Sequence, residues 1–328
     1  MSSTLDAPPP PGLRYGLVGD IGGTNCRLAL AVLGGETIHL YGHKTLKLAD
    51  FYTSESGIQH YLDEVRIKPE AAVLAVAGPV QDGRANLTNA TWKLEEGDLR
   101  AALHIGNIRL INDFAATAFS AGILGTADFR EIGPTVPGVP GATIAIMGPG
   151  TGFGLSALAG GHVEAMLVTE GGHANFAPSD EVDMEIVRIL RARHGHVSVE
   201  YVLSGRGMEN LHYAMEQMDG LPASGTSATD ITEAAAKGEK RAMATVHRFC
   251  TIMASVAGDL ALTLGAQGGV FIAGGIMPRL LPGLDHAAFR ARFEDKGRFV
   301  SYLRAIPTRV ITADDAALRG SARALRGL

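Results

Sequence analysis

The carboxylates that stand at the ends of apolar runs are where this chain could do chemistry. Asp20 lies in Gly19-Asp20-Ile21-Gly22-Gly23-Thr24-Asn25, between the apolar runs Tyr15–Val18 and Leu28–Leu33. Two short apolar runs joined by Gly, Asp and Asn predict two antiparallel strands and a tight turn. Gly22 and Gly23 can take backbone angles closed to other residues, and they put no side chain between their N–H groups and an anion. Such a turn either closes an ordinary hairpin or cradles phosphate oxygens. In the second case Asp20 offers an oxygen to a magnesium ion or its bound water, and Thr24 and Asn25 add short donors. The spacing is neither the Gly-x-Gly-x-x-Gly dinucleotide turn nor a Walker loop, which ends in Gly-Lys-Ser/Thr.

Asn112-Asp113 follow strand-like Arg109–Ile111 and precede a helix predicted over Phe114–Ala121. An aspartate there caps the helix, serves as a base toward a substrate hydroxyl, or does both, since a strand end is a rigid place from which to aim a carboxylate. Further on, Glu170, His173 and Asn175 surround two glycines in Thr169–Pro178. A carboxylate accepts and an imidazole can donate, which suits neighbouring hydroxyls of a polyol. Zinc is the competing reading, but the His-x-x-x-His or cysteine spacing it needs is missing. A second glycine turn, Gly148–Gly154 with Gly150, Thr151 and Gly152 at its centre, sits between strand-like Thr143–Met147 and Leu155–Ala159, with Val163–Val168 after them. It repeats the grammar of residues 15–33 and predicts two related halves gripping one phosphate chain from opposite sides; an unrelated hairpin is the alternative. A third pair, Gly274-Gly275, follows strand-like Gly269–Ala273 and would let a flat ring such as adenine lie against bare backbone. The loop Asn86–Trp92 holds Asn89 and the only tryptophan, and its polar side chains also serve simply to satisfy backbone groups.

The elements that must position these groups follow from periodicity. A strand is expected over Thr37–Leu46, a helix over Ser54–Arg66 with Ser54 as its cap, and a buried strand over Ala71–Ala77. Gly122–Gly141, punctuated by Gly and Pro, reads as the crossing between domains. A helix is predicted over Glu181–Arg193, with His194 and His196 answering its C-terminal dipole or, alternatively, meeting a metal, and Ala223–Thr232 reads as a surface loop. Glu239–Gly265 is a long apolar helix, central to the second half or part of a subunit contact. Phe289–Phe299 and a last strand, Arg309–Thr312, precede a C-terminal helix over Asp315–Leu325.

A chain of 328 residues is long enough for about two domains. Its net charge of −5 gives no electrostatic case for nucleic acid or a membrane surface. Two cysteines, Cys26 and Cys250, are too few for a disulfide framework or a cysteine zinc site and suit a reducing compartment. Residues 1–13, with four consecutive prolines at Pro8–Pro11, are expected to form an unstructured, semi-extended tail without a signal pattern. No uncharged apolar stretch reaches the roughly 20 residues of a membrane span. The expected location is cytoplasmic.

Taken together, the motifs resemble those of bacterial glucokinases in the hexokinase, actin and heat-shock ATPase superfamily. The carriers are Leu17–Asn25, Ile111-Asn112-Asp113-Phe114, Gly148–Gly154, Glu170–His173, His196–Glu200, Leu203-Ser204-Gly205 and Gly268–Pro278, in the family's order. The resemblance implies an α/β fold of two ribonuclease-H-like domains, each on a five-stranded mixed sheet flanked by helices, with sugar and ATP in the cleft between them. It assigns residues 14–123 with 314–328 to a smaller domain and 124–313 to a larger one. Gly19, Asp20, Ile21, Gly22, Gly23, Thr24 and Asn25, with Gly150, Thr151 and Gly152, would hold the phosphates, and Gly274 and Gly275 would sit by adenosine. Asn112, Asp113, Glu170, His173 and Glu200 match the glucose-binding positions, with Asn89 a further match. Asp113 would be the catalytic base, and Asp20 would meet magnesium through water. The implied reaction is ATP-dependent phosphorylation of D-glucose at its 6-hydroxyl, the first step of glycolysis, by a homodimer. The zinc-binding Cys-x-Cys-Gly-x-x-Gly-x-x-Cys segment of the related repressor and sugar-kinase branch has no counterpart here, nor does that branch's N-terminal DNA-binding domain, so no zinc is expected. A kinase for another hexose or an amino sugar, a non-catalytic sugar sensor, an ATPase or phosphatase of the same fold, and a polyphosphate donor remain as alternatives.

Overall fold

The hairpin expected at the start of the chain forms, and it heads the first of two units. The computed structural model describes residues 5–35, 37–87, 92–160 and 165–327. The first unit is Met1–Leu124 with Ala313–Leu328, and the second is Gly125–Thr312.

In the first unit β1 (Tyr15–Ile21), β2 (Asn25–Val32) and β3 (Leu40–Lys47) run antiparallel in succession. Helix α1 (Ser54–Val65) carries the chain to β4 (Ala71–Val76), which lies parallel to β1. Three short strands, β5 (Val80–Gln81), β6 (Arg84–Asn86) and β7 (Lys93–Glu95), make a separate small sheet. Helix α2 (Glu96–Leu103) then leads to β8 (Asn107–Asn112), parallel to β4, and to α3 (Asp113–Ser120). The main sheet has the order β3-β2-β1-β4-β8. Its central strands are apolar on both faces because both are covered. Leu17, Ile21 and Leu74 pack with Ile58, Tyr61 and Trp92 on one side. Thr53, rather than Ser54, caps α1: its Oγ1 accepts the Ser56 N–H, while Ser54 is buried and its hydroxyl donates to the Lys93 carbonyl at 3.0 Å.

The N-terminal segment departs from the unstructured tail expected of it. The Leu5 and Ala7 carbonyls accept the N–H groups of His43 and Gly42, each at 2.8 Å, and the Tyr15 hydroxyl donates to the Pro10 carbonyl. The reason is that β3 is a sheet edge with donors to satisfy.

The second unit repeats the plan. Strand β9 (Phe129–Glu131) precedes β10 (Ile144–Pro149), β11 (Phe153–Ala159) and β12 (Ala165–Thr169), which form an antiparallel meander. Four helices follow, α4 (Glu181–His194), α5 (Gly205–Met218), α6 (Ala228–Ala236) and α7 (Lys240–Leu264). Strand β13 (Gly269–Ile272) lies parallel to β10; after α8 (Met277–Leu280), α9 (His286–Glu294) and α10 (Val300–Arg304) comes β14 (Thr308–Ile311), parallel to β13. The sheet order is β12-β11-β10-β13-β14-β9. Its first five strands match the first unit's sheet in order and direction. The sixth is a correction to the five expected: β9 pairs antiparallel with β14 and comes from the Gly- and Pro-punctuated crossing segment. Arg309, which bonds Glu131 at 3.0 Å and lies over the Phe129 ring, fastens it there.

Helix α7 is the apolar helix its sequence predicts. The Glu239 carboxylate accepts the Arg241 and Ala242 N–H groups at its start, and Gly265 ends it with φ +59°. Phe249, Met253 and Ala257 are buried in the core of this unit. Helix α6 occupies much of the segment expected to be loop. Arg290 of α9 is buried, and its guanidinium donates to Glu294, to the Ile306 and Leu303 carbonyls and to the Thr308 hydroxyl. The chain ends in the first unit with α11 (Ala316–Ala324), which covers Val18, Ala29 and Val73. It crosses α3 closely enough that a Cβ on Gly320 would stand 1.7 Å from the Ala116 carbonyl oxygen.

Candidate active site

In the first unit the β1–β2 turn is four residues long. Ile21 pairs with Cys26, and the Gly22 N–H donates to the Asn25 carbonyl at 2.9 Å. Gly22 does not use the left-handed region; its value is open space, since an added Cβ would meet only the Asn25 carbonyl at 3.6 Å. Gly19 has a different reason to be glycine. A Cβ there would lie 2.7 Å from Leu74, so packing within the sheet excludes it. Ile21 is buried, which leaves only its backbone to face a ligand. Asp20 sits on the opposite face from Gly19's neighbours, with Arg27 3.6 Å away, and burial raises its pKa.

Asn112 and Asp113 divide the work at the end of β8. Asn112 is the cap of α3: its Oδ1 accepts the Phe114 and Ala115 N–H groups at 2.9 and 3.3 Å, worth about 1 kcal/mol. Its amide also donates to the Gly78 carbonyl at 2.9 Å, leaving one N–H uncommitted. The aspartate therefore shares the helix start with Asn112 instead of capping it alone. Asp113 accepts the Phe114 N–H at 2.7 Å, and its pKa is pushed up to about 6 by burial, with the charge of Asp20 adding to the rise and the backbone bonds opposing it. A carboxylate with that value is a proton acceptor close to neutral pH. Asn89 lies outside the described residues. A groove of about 1280 Å³ runs from Gly23 and Thr24 past Asp50 and Tyr52 to Lys93, and Asp113 is not part of its wall.

In the second unit the β10–β11 turn is Gly150-Thr151-Gly152. Pro149 pairs with Phe153, and the Gly150 N–H donates to the Gly152 carbonyl at 2.8 Å. Gly150 has nothing within 4 Å of a would-be Cβ, and Thr151 is exposed. At the end of β13, Gly274 takes φ +85° and stands so close to Pro149 that a Cβ would be 2.4 Å from its carbonyl oxygen. The segments expected to meet adenosine and phosphate are therefore in contact. Glu170 and His173 flank a short turn, their Oε2 and Nε2 3.9 Å apart, with side chains 88% and 63% exposed. Gly172 between them lies against the Phe153 carbonyl, 2.2 Å from a would-be Cβ. Glu200 belongs to the same assembly, its Oε2 accepting the Phe153 N–H at 2.8 Å.

Ser204 and Gly205 matter more than their sequence suggested. The Ser204 hydroxyl donates to the Glu200 carbonyl and accepts the Gly207 N–H, which caps α5, and the Gly205 N–H donates to the Gly150 carbonyl at 2.9 Å. The signal was a serine followed by buried Met208, Leu211 and Ala214 at three-residue spacing.

Two units whose sheets share five strands in one order, each with a glycine turn joining its first two meander strands, define the actin-like ATPase fold. The family described as Glucokinase matches residues 17–328. The glucokinase of Caulobacter sp. (strain K31) is 48% identical over 315 residues, 95% of each chain. The crystal structure of glucokinase from an Antarctic psychrotroph superposes with a TM-score of 0.89 at 38% identity, covering 96% of this chain and 99% of that one. That of Balamuthia mandrillaris glucokinase in complex with glucose has the same fold, with a TM-score of 0.74 at 21% identity, covering 96% and 94%. The chain belongs to the glucokinase family. Its activity is that of the family, ATP-dependent phosphotransfer to a hexose.

Proposed function

We propose that the chain transfers the γ-phosphoryl group of ATP to the 6-hydroxyl of D-glucose, giving glucose 6-phosphate and ADP, and so opens glycolysis in the cytoplasm. The observation that carries this reading is Asp113, at the end of β8 beside the capping Asn112 and raised to about 6 by burial. As the base it accepts the proton of the 6-hydroxyl as that oxygen attacks phosphorus. The remaining amide N–H of Asn112 and the side chains of Glu170, His173 and Glu200 hold the sugar's other hydroxyls, with Asn89 assigned the same role by family likeness. Main-chain N–H groups of Gly22–Asn25 and Gly150–Gly152 take the phosphates, and Gly274 and Gly275 take the adenosine. Catalysis is then positioning and electrostatics.

Asp20 fits a magnesium ion held mainly by substrate phosphates, because one carboxylate and water are enough for that ion. Bound there, magnesium offsets phosphate charge. No zinc is assigned, since the two cysteines, Cys26 and Cys250, are both buried and far apart in sequence. Net charge −5 supports small-molecule rather than nucleic-acid or membrane partners, and no helix among the described residues is long and apolar enough to cross a membrane. Family likeness supports a homodimer, which sedimentation tests.

The test is ADP production with magnesium and ATP, first without sugar and then with glucose, mannose, fructose and N-acetylglucosamine. Dependence on glucose is expected. Equal release without sugar would point to a hydrolase, preference for another sugar would move the substrate, and silence with all of them would point to a different phosphate donor or a sensor.

A further inference from the structure

Glu200 is tied to three segments at once. Its N–H donates to the Gly172 carbonyl of the sugar loop at 2.9 Å, its carbonyl accepts the Ser204 hydroxyl at 2.9 Å, and its Oε2 accepts the Phe153 N–H at 2.8 Å. Phe153 leaves the Gly150-Thr151-Gly152 turn at one end. At the other, the Gly150 carbonyl accepts the Gly205 N–H at 2.9 Å. Both ends of the turn are thus pinned to residues 200–205. A Cβ on Gly152 would lie 2.6 Å from Glu200 Oε2, so the carboxylate would have to move to make room for it. Oε1, by contrast, makes no hydrogen bond to the described residues. A carboxylate with one oxygen on the turn and the other free passes to the turn whatever binds the free one.

We infer that Glu200 couples the two substrates: a sugar hydroxyl on Oε1 fixes the carboxylate, which through Oε2 and the Phe153 N–H holds the Gly150–Gly152 turn in its phosphate-accepting form. The inference rests on the proposed function for its assignment of Glu200 to sugar and of the turn to phosphate. A hydroxyl on Oε1 and a phosphate on the turn both favour the same placement of the carboxylate, so the second ligand meets it already held by the first. Each substrate therefore tightens the other by the same factor. Gly152 is a positioning residue for a sugar it does not touch.

The test is calorimetry of glucose without nucleotide, and of a non-hydrolysable ATP analogue with magnesium, with and without glucose. Wild type is compared with Gly152→Ala, whose methyl displaces Glu200, and Gly150→Ala, whose methyl meets nothing within 4 Å. Gly152→Ala is expected to weaken glucose by about fivefold or more, the lower end of usual coupling, and to abolish its effect on the analogue. Gly150→Ala is expected to leave glucose binding alone. Unchanged glucose affinity in Gly152→Ala, or equal losses in both variants, would overturn the coupling. A wild type that binds no glucose would overturn the proposed function itself. Should Gly152→Ala fail to fold, Glu200→Asp decides, because a side chain one methylene shorter cannot serve both partners. A rise in KM for ATP alongside that for glucose supports the coupling, and a rise for glucose alone refutes it.

Discussion

Replacing Asp113 by Asn should make the protein more stable and less active, and the gain should depend on pH in a way fixed by the buried carboxylate. In the folded chain the Asp113 pKa is about 6, against a usual 3.8. Below pH 3.8 the group is protonated in both folded and unfolded chains and contributes nothing. Between the two values the unfolded chain releases its proton while the folded chain keeps it, so wild-type stability falls as pH rises. Above 6 the full penalty is present. A shift of about two units at 1.36 kcal/mol each sets it at about 3 kcal/mol, with roughly half already felt at pH 5. Asparagine keeps an oxygen for the Phe114 N–H and removes the charge. Trp92, the only tryptophan, is 1% exposed in the core of the same unit, so its fluorescence reports the unfolding of that unit in urea. The variant is expected to exceed wild type by about 3 kcal/mol at pH 8 and by about half of that at pH 5. Turnover should fall roughly 10²-fold or more, and wild-type kcat/KM should rise with pH through about 6. A stability difference that stays constant with pH, or a variant weaker than wild type at pH 8, would refute the burial argument.

Three further expectations concern other parts of the chain. Glu170→Gln removes a charge-assisted hydrogen bond to the sugar and should raise KM for glucose about 10- to 100-fold with that for ATP unchanged, as read by steady-state kinetics; equal losses would sink the assignment. Gly274→Ala meets both a φ of +85° and a Cβ 2.4 Å from the Pro149 carbonyl, and should cost about 1–3 kcal/mol in thermal unfolding and raise KM for ATP. Arg290→Met takes a donor from Glu294, which keeps Arg304, and from the Ile306 carbonyl and the Thr308 hydroxyl, and a loss of about 1–3 kcal/mol in urea unfolding is expected.

What could be read in the sequence was what local chemistry dictates. The strand, glycine turn, strand grammar at residues 15–33 and 143–159 points to two sheets of one plan because short apolar runs and turn residues act within a few positions. Helix α7 is legible from its own periodicity. The misses were long-range. Strand β9 is three residues that become a strand only because β14 offers an edge, and the tail at residues 5–13 is ordered by donors on β3. Helix α5 carries a local signal, Ser204 accepting the Gly207 N–H, whereas the bond that ties its start to the glycine turn, from the Gly205 N–H to the Gly150 carbonyl, spans 55 residues and leaves no trace in local sequence. At the site, residue types pointed to Asp20, Asp113 and the Glu170–His173 loop, whereas the significance of Glu200 depended on family likeness. Gly19 and Gly22 look alike in sequence, yet one is glycine for packing and the other for access.

The return of α11 to the first unit has a consequence for biosynthesis. Val18, Ala29 and Val73 are covered by a helix that leaves the ribosome about 200 residues after α3 does. At roughly 5–20 residues per second, the β-sheet of the first unit waits about 10–40 s with that apolar face open. The second unit, continuous in sequence, completes itself during the wait. A nascent chain of this protein therefore carries an open apolar face near its beginning, and α11 is the helix that covers it.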